Sequence, residues 1–282
     1  MPAPKLFLAA IICLAVAACV DAVPSAAPAS TWTLIDDFEQ QDLQGWTKFD
    51  AQNETDPFVP DAQVHITQAE ANADNHYLLR KPAIDGVVGN RKALAWRELP
   101  RAVPTGAKAT FFTRINVEYF PNNHSFGLTN QPPQQIAALA YDAFEPMIRI
   151  TDKAETNGTV NDGALQVLKG RKAYAPIRNP ATGRAARPLE PGVWYEVWFV
   201  VDNARHDEGG QSYDLHIRGG EFASRTKVYQ GAQFRMAREQ ALTHFIAISN
   251  TGPARAPYGN GGVRFDDIYM ADGINLSSPP MR

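Results

Sequence analysis

The chain has 282 residues, a formal net charge of −3 and two cysteines. So small a charge excludes the footprint of a nucleic-acid binder or of a protein adsorbed on an anionic membrane. No Cys-x-x-Cys, His-Glu-x-x-His, Gly-x-Ser-x-Gly or phosphate-binding glycine loop occurs, which removes the common zinc, haem, serine-hydrolase and nucleotide-binding classes.

After Lys5 an apolar run from Leu6 to Val16 ends in Val16-Ala17-Ala18-Cys19. It is too short to span a membrane and is built like an export signal. The segment resembles the signal of bacterial lipoproteins, which implies acylation at Cys19; Val20 after it, rather than Asp, implies sorting to the outer membrane. Ordinary cleavage after Ala15-Val16-Ala17 is the alternative, and both place the protein outside the cytoplasm. Residues 1–18 are thus read as a lipoprotein signal peptide, 19–30 as a flexible Ala/Pro/Ser tether and 31–282 as a single domain. Cys13 leaves with the signal and Cys19 is lipidated, so the domain keeps no disulfide and rests on core burial, with metal as a further option. The lipid anchor is then the only membrane contact, and a monomer is expected.

Beyond residue 31, short runs of period two broken by Gly, Pro, Asn and Asp predict half-buried strands with little helix. In chain order they are Leu34–Glu39, Lys92–Trp96, Thr110–Tyr119, Phe126–Thr129, Pro146–Thr151, Trp194–Val201, Ser212–Arg218, Phe245–Asn250 and Gly262–Met270. In the third, Phe111, Ile115, Val117 and Tyr119 face inward while Phe112, Arg114, Asn116 and Glu118 face out. The pair 194–201 and 212–218 reads as a long-looped hairpin, with Trp194, Glu196 and Trp198 on one outward face and Asp214, His216 and Arg218 on another. Helical turns are predicted only at 134–143 and 234–241.

The opening Leu34-Ile35-Asp36-Asp37-Phe38-Glu39 with Leu43-Gln44-Gly45-Trp46, the closing Val263-Arg264-Phe265-Asp266-Asp267-Ile268-Tyr269-Met270 and the tryptophan-rich hairpin together resemble the concanavalin-A-like lectin and glucanase superfamily. That resemblance implies an all-β sandwich of jelly-roll type with few short helices, paired terminal strands and a glycan groove on one curved sheet. Converging terminal strands would bring Asp37, Glu39, Asp266 and Asp267 together as hard oxygen ligands for a structural calcium ion; the alternative is a set of solvated strand ends. No organic cofactor is implied.

Aromatic and polar residues supply the candidate glycan site. Trp198, beside Glu196, is the favoured sugar platform, and Trp96 with Arg97 forms a cationic, aromatic patch suited to an acidic sugar. His216 is counted with them. Arg114, Asn116 and Glu118 with Arg149 could hold a sugar carboxylate. The Glu-x-Asp-x-x-Glu strand of laminarinase-type hydrolases is absent. Lyase chemistry asks instead for a neutralised uronate and a base, for which Arg114, Asn116, His124, Tyr141 and Arg149 are candidates. Gln63-Val64-His65 is similar to the Gln-Ile-His of jelly-roll alginate lyases, without the preceding Arg-x-Glu-x-Arg strand. The reading is therefore an extracytoplasmic protein that cleaves an acidic polysaccharide by β-elimination, with a non-catalytic carbohydrate-binding lipoprotein and a structural envelope protein as alternatives. The loop 171–187 is a candidate edge or lid of the groove.

Overall fold

A computed structural model describes residues 1, 31–59, 64–70, 74–153, 161–171, 173–251 and 260–281, the side chains of 64 and 65 excepted. The signal, the tether, Cys19 and Gln63 lie outside the described residues, as does the side chain of His65. The described residues form seventeen strands: β1 Thr33–Asp36, β2 Trp46–Asp56, β3 Val64–Ala69, β4 His76–Lys81, β5 Val88–Val103, β6 Lys108–Val117, β7 Asn123–Thr129, β8 Phe144–Thr151, β9 Leu165–Leu168, β10 Tyr174–Pro176, β11 Arg178–Asn179, β12 Arg184–Ala185, β13 Trp194–Asp202, β14 Ser212–Gly219, β15 Phe222–Gln233, β16 Leu242–Asn250 and β17 Val263–Asp272. Among the described residues one α-helix, α1, runs Pro133–Leu139 and passes into a 3-10 turn at Ala140–Ala143.

Two antiparallel sheets make the all-β sandwich. The terminal sheet runs β15-β14-β13-β6-β17-β4-β3, with β1 pairing β17; the central sheet runs β10-β9-β8-β7-β16-β5-β2. The chain ends pair as the terminal motifs predict, Thr33 opposite Met270 and Leu34 opposite Tyr269. The predicted hairpin is in place too, Glu196 facing Arg218 and Trp198 facing His216.

Alternation decides what lies between the sheets. Phe111, Ile115 and Val117 of β6 and Tyr195, Val197, Phe199 and Val201 of β13 point into a core completed from the other sheet by Phe126, Leu128, Ile148, Ile150 and Phe245. Phe126 reaches across to Phe199 and Phe265, with ring centroids 6.4 and 5.4 Å away. Tyr119, expected inside, lies beyond the end of β6, where its hydroxyl accepts from Lys81 Nζ at 2.8 Å.

Each outer face carries a cap. On the central sheet, α1 buries Ile136 against Leu94, Trp96, Ile246 and Ile248. On the terminal sheet, the segment 274–281 folds back over Phe112, Trp198 and Tyr269, bringing Leu276 and Met281 with Trp32. The predicted second helical turn does not form: 234–241 is irregular because Glu145 captures its amides. Arg235 N donates to the Glu145 carbonyl at 2.9 Å, and Ala237 N, on a residue with φ of 52°, donates to its carboxylate at 2.8 Å.

Candidate functional site

The alternation that buries Phe126 and Leu128 turns their β7 neighbours Asn123 and Ser125 to the outer face of the central sheet. Ser125 pairs with Arg149 on β8, and Arg149 pairs with Gln166 on β9, so one polar row crosses three strands. Around this row a hollow of about 190 Å³ is lined by Asn123, Tyr141, Arg149, Lys153, Tyr174, Arg235 and Asn250. Among the described residues its lining has three cationic side chains and no carboxylate, and one of the cations, Arg235, is paired with Asp142.

The geometry inside is specific. The Arg149 guanidinium carbon sits 4.6 Å from the centroid of the Tyr174 ring. Arg235 donates from Nη1 to Tyr174 Oη at 3.1 Å and from Nε and Nη2 to Asp142 Oδ1 at 3.1 and 2.9 Å, with its guanidinium carbon 5.9 Å from the Tyr141 ring. The segment carrying Arg235 is fixed from below by the buried carboxylate of Glu145, which also accepts from Arg238 Nη1 at 3.0 Å. Burial raises the Glu145 pKa, against the lowering effect of Arg238 and the two amides. Under the hollow, Asn123 Oδ1, Ser125 Oγ and Gln166 Oε1 are buried without a hydrogen-bond partner among the described residues. Unpaired polar atoms are normally few in a native interior, and two of these lie on the row and the third, Asn123, two residues along β7 from it. The arrangement can bind an anion between guanidinium groups while two phenols stand next to it.

The residues expected to form one site are divided among three places. Tyr141 and Arg149 share the hollow of the central sheet. Arg114, Asn116, Glu196 and His216 lie on the outer face of the terminal sheet, across the core from them. His124 lies on neither face: it points between the sheets, 1% exposed, with Nε2 bonded to the Gly261 carbonyl at 2.9 Å. Burial, helped by Arg80 and Lys81 and opposed by the Gly261 bond, lowers its pKa to about 3. It is a neutral interior residue, out of reach of a substrate on either face.

Both tryptophan platforms are corrected by the caps. Trp198 does face outward from β13, but at 1% exposure it lies beneath the C-terminal segment, donating from Nε1 to the Ser277 carbonyl at 3.0 Å. Trp96, 4% exposed, is covered on the α1 side. Arg97 is committed to Asp36 at 2.5 Å and to the Gln44 carbonyl at 2.8 Å. Glu118, past the end of β6, pairs with Lys81 at 3.0 Å and accepts from Gly262 N. His216 is 7% exposed, its pKa lowered by burial and by Lys227.

The four expected calcium ligands do approach one another. Asp267 feels Asp37 and Glu39, and its pKa rises to about 6, chiefly through burial. Arg114 already stands among these carboxylates, 3.3 Å from Asp267, 3.5 Å from Asp266 and 3.0 Å from Glu70. Among the described residues no group of three or more His, Cys, Asp or Glu is arranged to hold a metal ion. The guanidinium supplies the positive charge there, and the residues as placed do not fit a calcium ion.

Tyr174, Arg235, Lys153 and Asn250 are site residues that the sequence reading passed over. The signal for Tyr174 was faint, since it stands on a three-residue strand within the loop read as a lid. Arg235 stood in the segment read as helical.

No protein-family model and no curated protein sequence matches the chain. Solved structures do. The chain is similar to the basic winged bean lectin crystallised with Tn-antigen, at TM-score 0.50 and 9% identity over 86% of this chain and 98% of that one. It is also similar to the PL-14 alginate lyase from Aplysia kurodai, at TM-score 0.48 and 11% identity over 74% and 87% of the two chains. The GH131 β-glucanase catalytic domain from Podospora anserina aligns at TM-score 0.47 and 9% identity over 77% and 86%. At these identities the likeness is one of fold, and the chain has the concanavalin-A-like jelly-roll fold.

Proposed function

We propose that the chain binds an acidic, uronate-containing polysaccharide in the hollow of the central sheet and cleaves it by β-elimination. The observation that carries this reading is the lining itself, three cations and two phenols with no carboxylate among the described residues. Hydrolysis normally needs two carboxyl groups flanking the bond; the described lining offers none, and the adjacent Asp142 is engaged by Arg235. Elimination needs a cation at the sugar carboxylate, where charge builds as the neighbouring C–H bond is broken, and a base and an acid within reach. Arg149 is the neutraliser, with Asn123 available to the same carboxyl group. One of Tyr141 and Tyr174, acting as the phenolate, takes the proton from C5 and becomes the phenol. The electron pair becomes the C4–C5 double bond as the C4–O bond breaks, and the departing oxygen takes a proton from the other phenol.

The test incubates the protein with alginate, pectate and a neutral glucan while following ultraviolet absorbance of the new double bond and reducing ends together. Both signals rising on an acidic polymer, and falling in Arg149→Ala, is the expected result. Reducing ends alone would overturn elimination, and retardation in an affinity gel with neither signal would leave the binding-module reading. Export and acylation at Cys19 belong to the same proposal, since a polymer substrate lies outside the cell. A Cys19→Ser chain should leave the membrane fraction.

A further inference from the structure

Across the core from this hollow, the outer face of the terminal sheet holds two further hollows, of about 320 and 390 Å³, with Trp194 lining both. Trp194 is the one tryptophan of the β13 pair that the C-terminal segment leaves half-buried. Its ring is held in place by Arg114, 4.5 Å from the centroid, and by Tyr77 at 5.8 Å in an edge arrangement. Gly219 and Gly192 flank it without side chains, and Met281 forms an apolar wall on one side.

The electrostatics differ from those of the central sheet. Arg114 is answered by Glu70, Asp266 and Asp267, Arg218 by Glu196, and Arg264 donates to Asn116 Oδ1 at 2.9 Å. Cations and carboxylates alternate along the surface, so it offers hydrogen-bond donors and acceptors without a net field for an anion. A rigid, partly exposed indole between two hollows of mixed polar and apolar lining suits a ligand with an apolar C–H face and uncharged hydroxyl groups.

We propose that Trp194 and its two flanking hollows form a second, independent binding site, for an uncharged oligosaccharide that lies across the indole. The protein would then hold two glycans of opposite electrostatic type on opposite faces, an acidic chain on the central sheet and a neutral one on the terminal sheet. Such an arrangement links two polymers or keeps the protein on a neutral matrix while it acts on an acidic one.

The test is calorimetry of the full chain with cellohexaose, laminarihexaose and mannohexaose. Binding of at least one of them is expected, weakened about tenfold or more in Trp194→Ala, as for an aromatic anchor. Arg218→Ala alters a side chain 42% exposed and is the variant that keeps the fold if Trp194→Ala does not; it should weaken the same hexaose severalfold. Arg149→Ala should leave hexaose binding as it is, which separates this site from the acidic one. No binding of any of the three, or binding that both terminal-sheet variants leave unchanged, overturns the proposal.

Discussion

The two outer faces of the sandwich are built from the same kinds of residue and end with different uses of their charges. On the terminal sheet, Arg114 is surrounded by Glu70, Asp266 and Asp267, and Phe112, Trp198 and Tyr269 of the same sheet are roofed by 274–281. On the central sheet, Arg149, Lys153 and Arg235 meet in a hollow whose described lining holds no carboxylate, with Asp142 on Arg235 at its edge, above buried polar atoms that have no partner among the described residues. An arginine spent on neutralising buried acids maintains the fold, whereas Arg149 is stacked on a tyrosine in a hollow lined by other cations. A row of polar residues in the sequence does not distinguish these cases. The partner across the sheet does.

The largest effect that would break the comparison is on turnover. Arg149→Ala should lower elimination by about 10²–10³-fold, the scale for removing one group that stabilises developing charge. Arg114→Ala should instead act on stability, because it leaves buried carboxylates uncompensated, a change that costs roughly 3–5 kcal/mol for a buried pair. Urea unfolding and initial rates measured on both variants decide it. If Arg114→Ala loses turnover while keeping its unfolding midpoint, the two faces have been assigned the wrong way round.

Next in size is the roof over Trp198. Truncating this buried indole should cost about 3–5 kcal/mol through the cavity it leaves, with glycan affinity unchanged. A Trp198→Ala protein of wild-type stability and reduced affinity would restore the platform that the C-terminal segment hides. Smaller again is Glu145→Gln, which removes one acceptor oxygen from beneath the Arg235 segment; about 1–3 kcal/mol is expected for the amides left unpaired. Because Arg235 touches Tyr174, this variant should also raise KM on the acidic polymer, whereas a lesion confined to the core would lower stability alone.

Much of the architecture was legible. Alternation in 110–117 and 194–201 is unmistakable because each of these strands has one face on the core, and the terminal motifs pair as read. Strands β2 and β15 were missed: both carry Gln, Asn, Lys or Arg at positions where a core-facing strand would show apolar residues. The site was legible only by residue type. Arginine 114 and arginine 149 are equally polar positions on equally regular strands, and nothing local says that β6 and β8 belong to different sheets. His124 misled for a related reason. It sits in phase with Phe126 and Leu128, which places it inside, but an interior histidine needs the Gly261 carbonyl, distant in the chain, to make that position tolerable.

The acidic end of the terminal sheet offers the most delicate test. Burial, and after it Asp267, raises the pKa of Asp266 from 3.8 to about 7; Asp267 rises to about 6, chiefly through burial, despite Arg114. In the unfolded chain both ionise near their ordinary value, so between about pH 4 and 7 the folded state binds protons that the unfolded chain has released. The pair therefore costs nothing below pH 4, and stability is lost progressively as pH rises from about 4 through the folded values of about 6 and 7. The buried His124, with its pKa lowered, acts in the opposite sense at acid pH, so the wild-type curve alone is ambiguous. The difference between Asp267→Asn and wild type removes that term. The variant should gain in Tm relative to wild type by a few degrees between pH 4 and 7 and hold the gain above, and calorimetric melting across that range measures it. A difference that does not change with pH would mean that Asp267 is ionised throughout, its charge fully met by Arg114, and that this face carries less buried acid than its geometry implies.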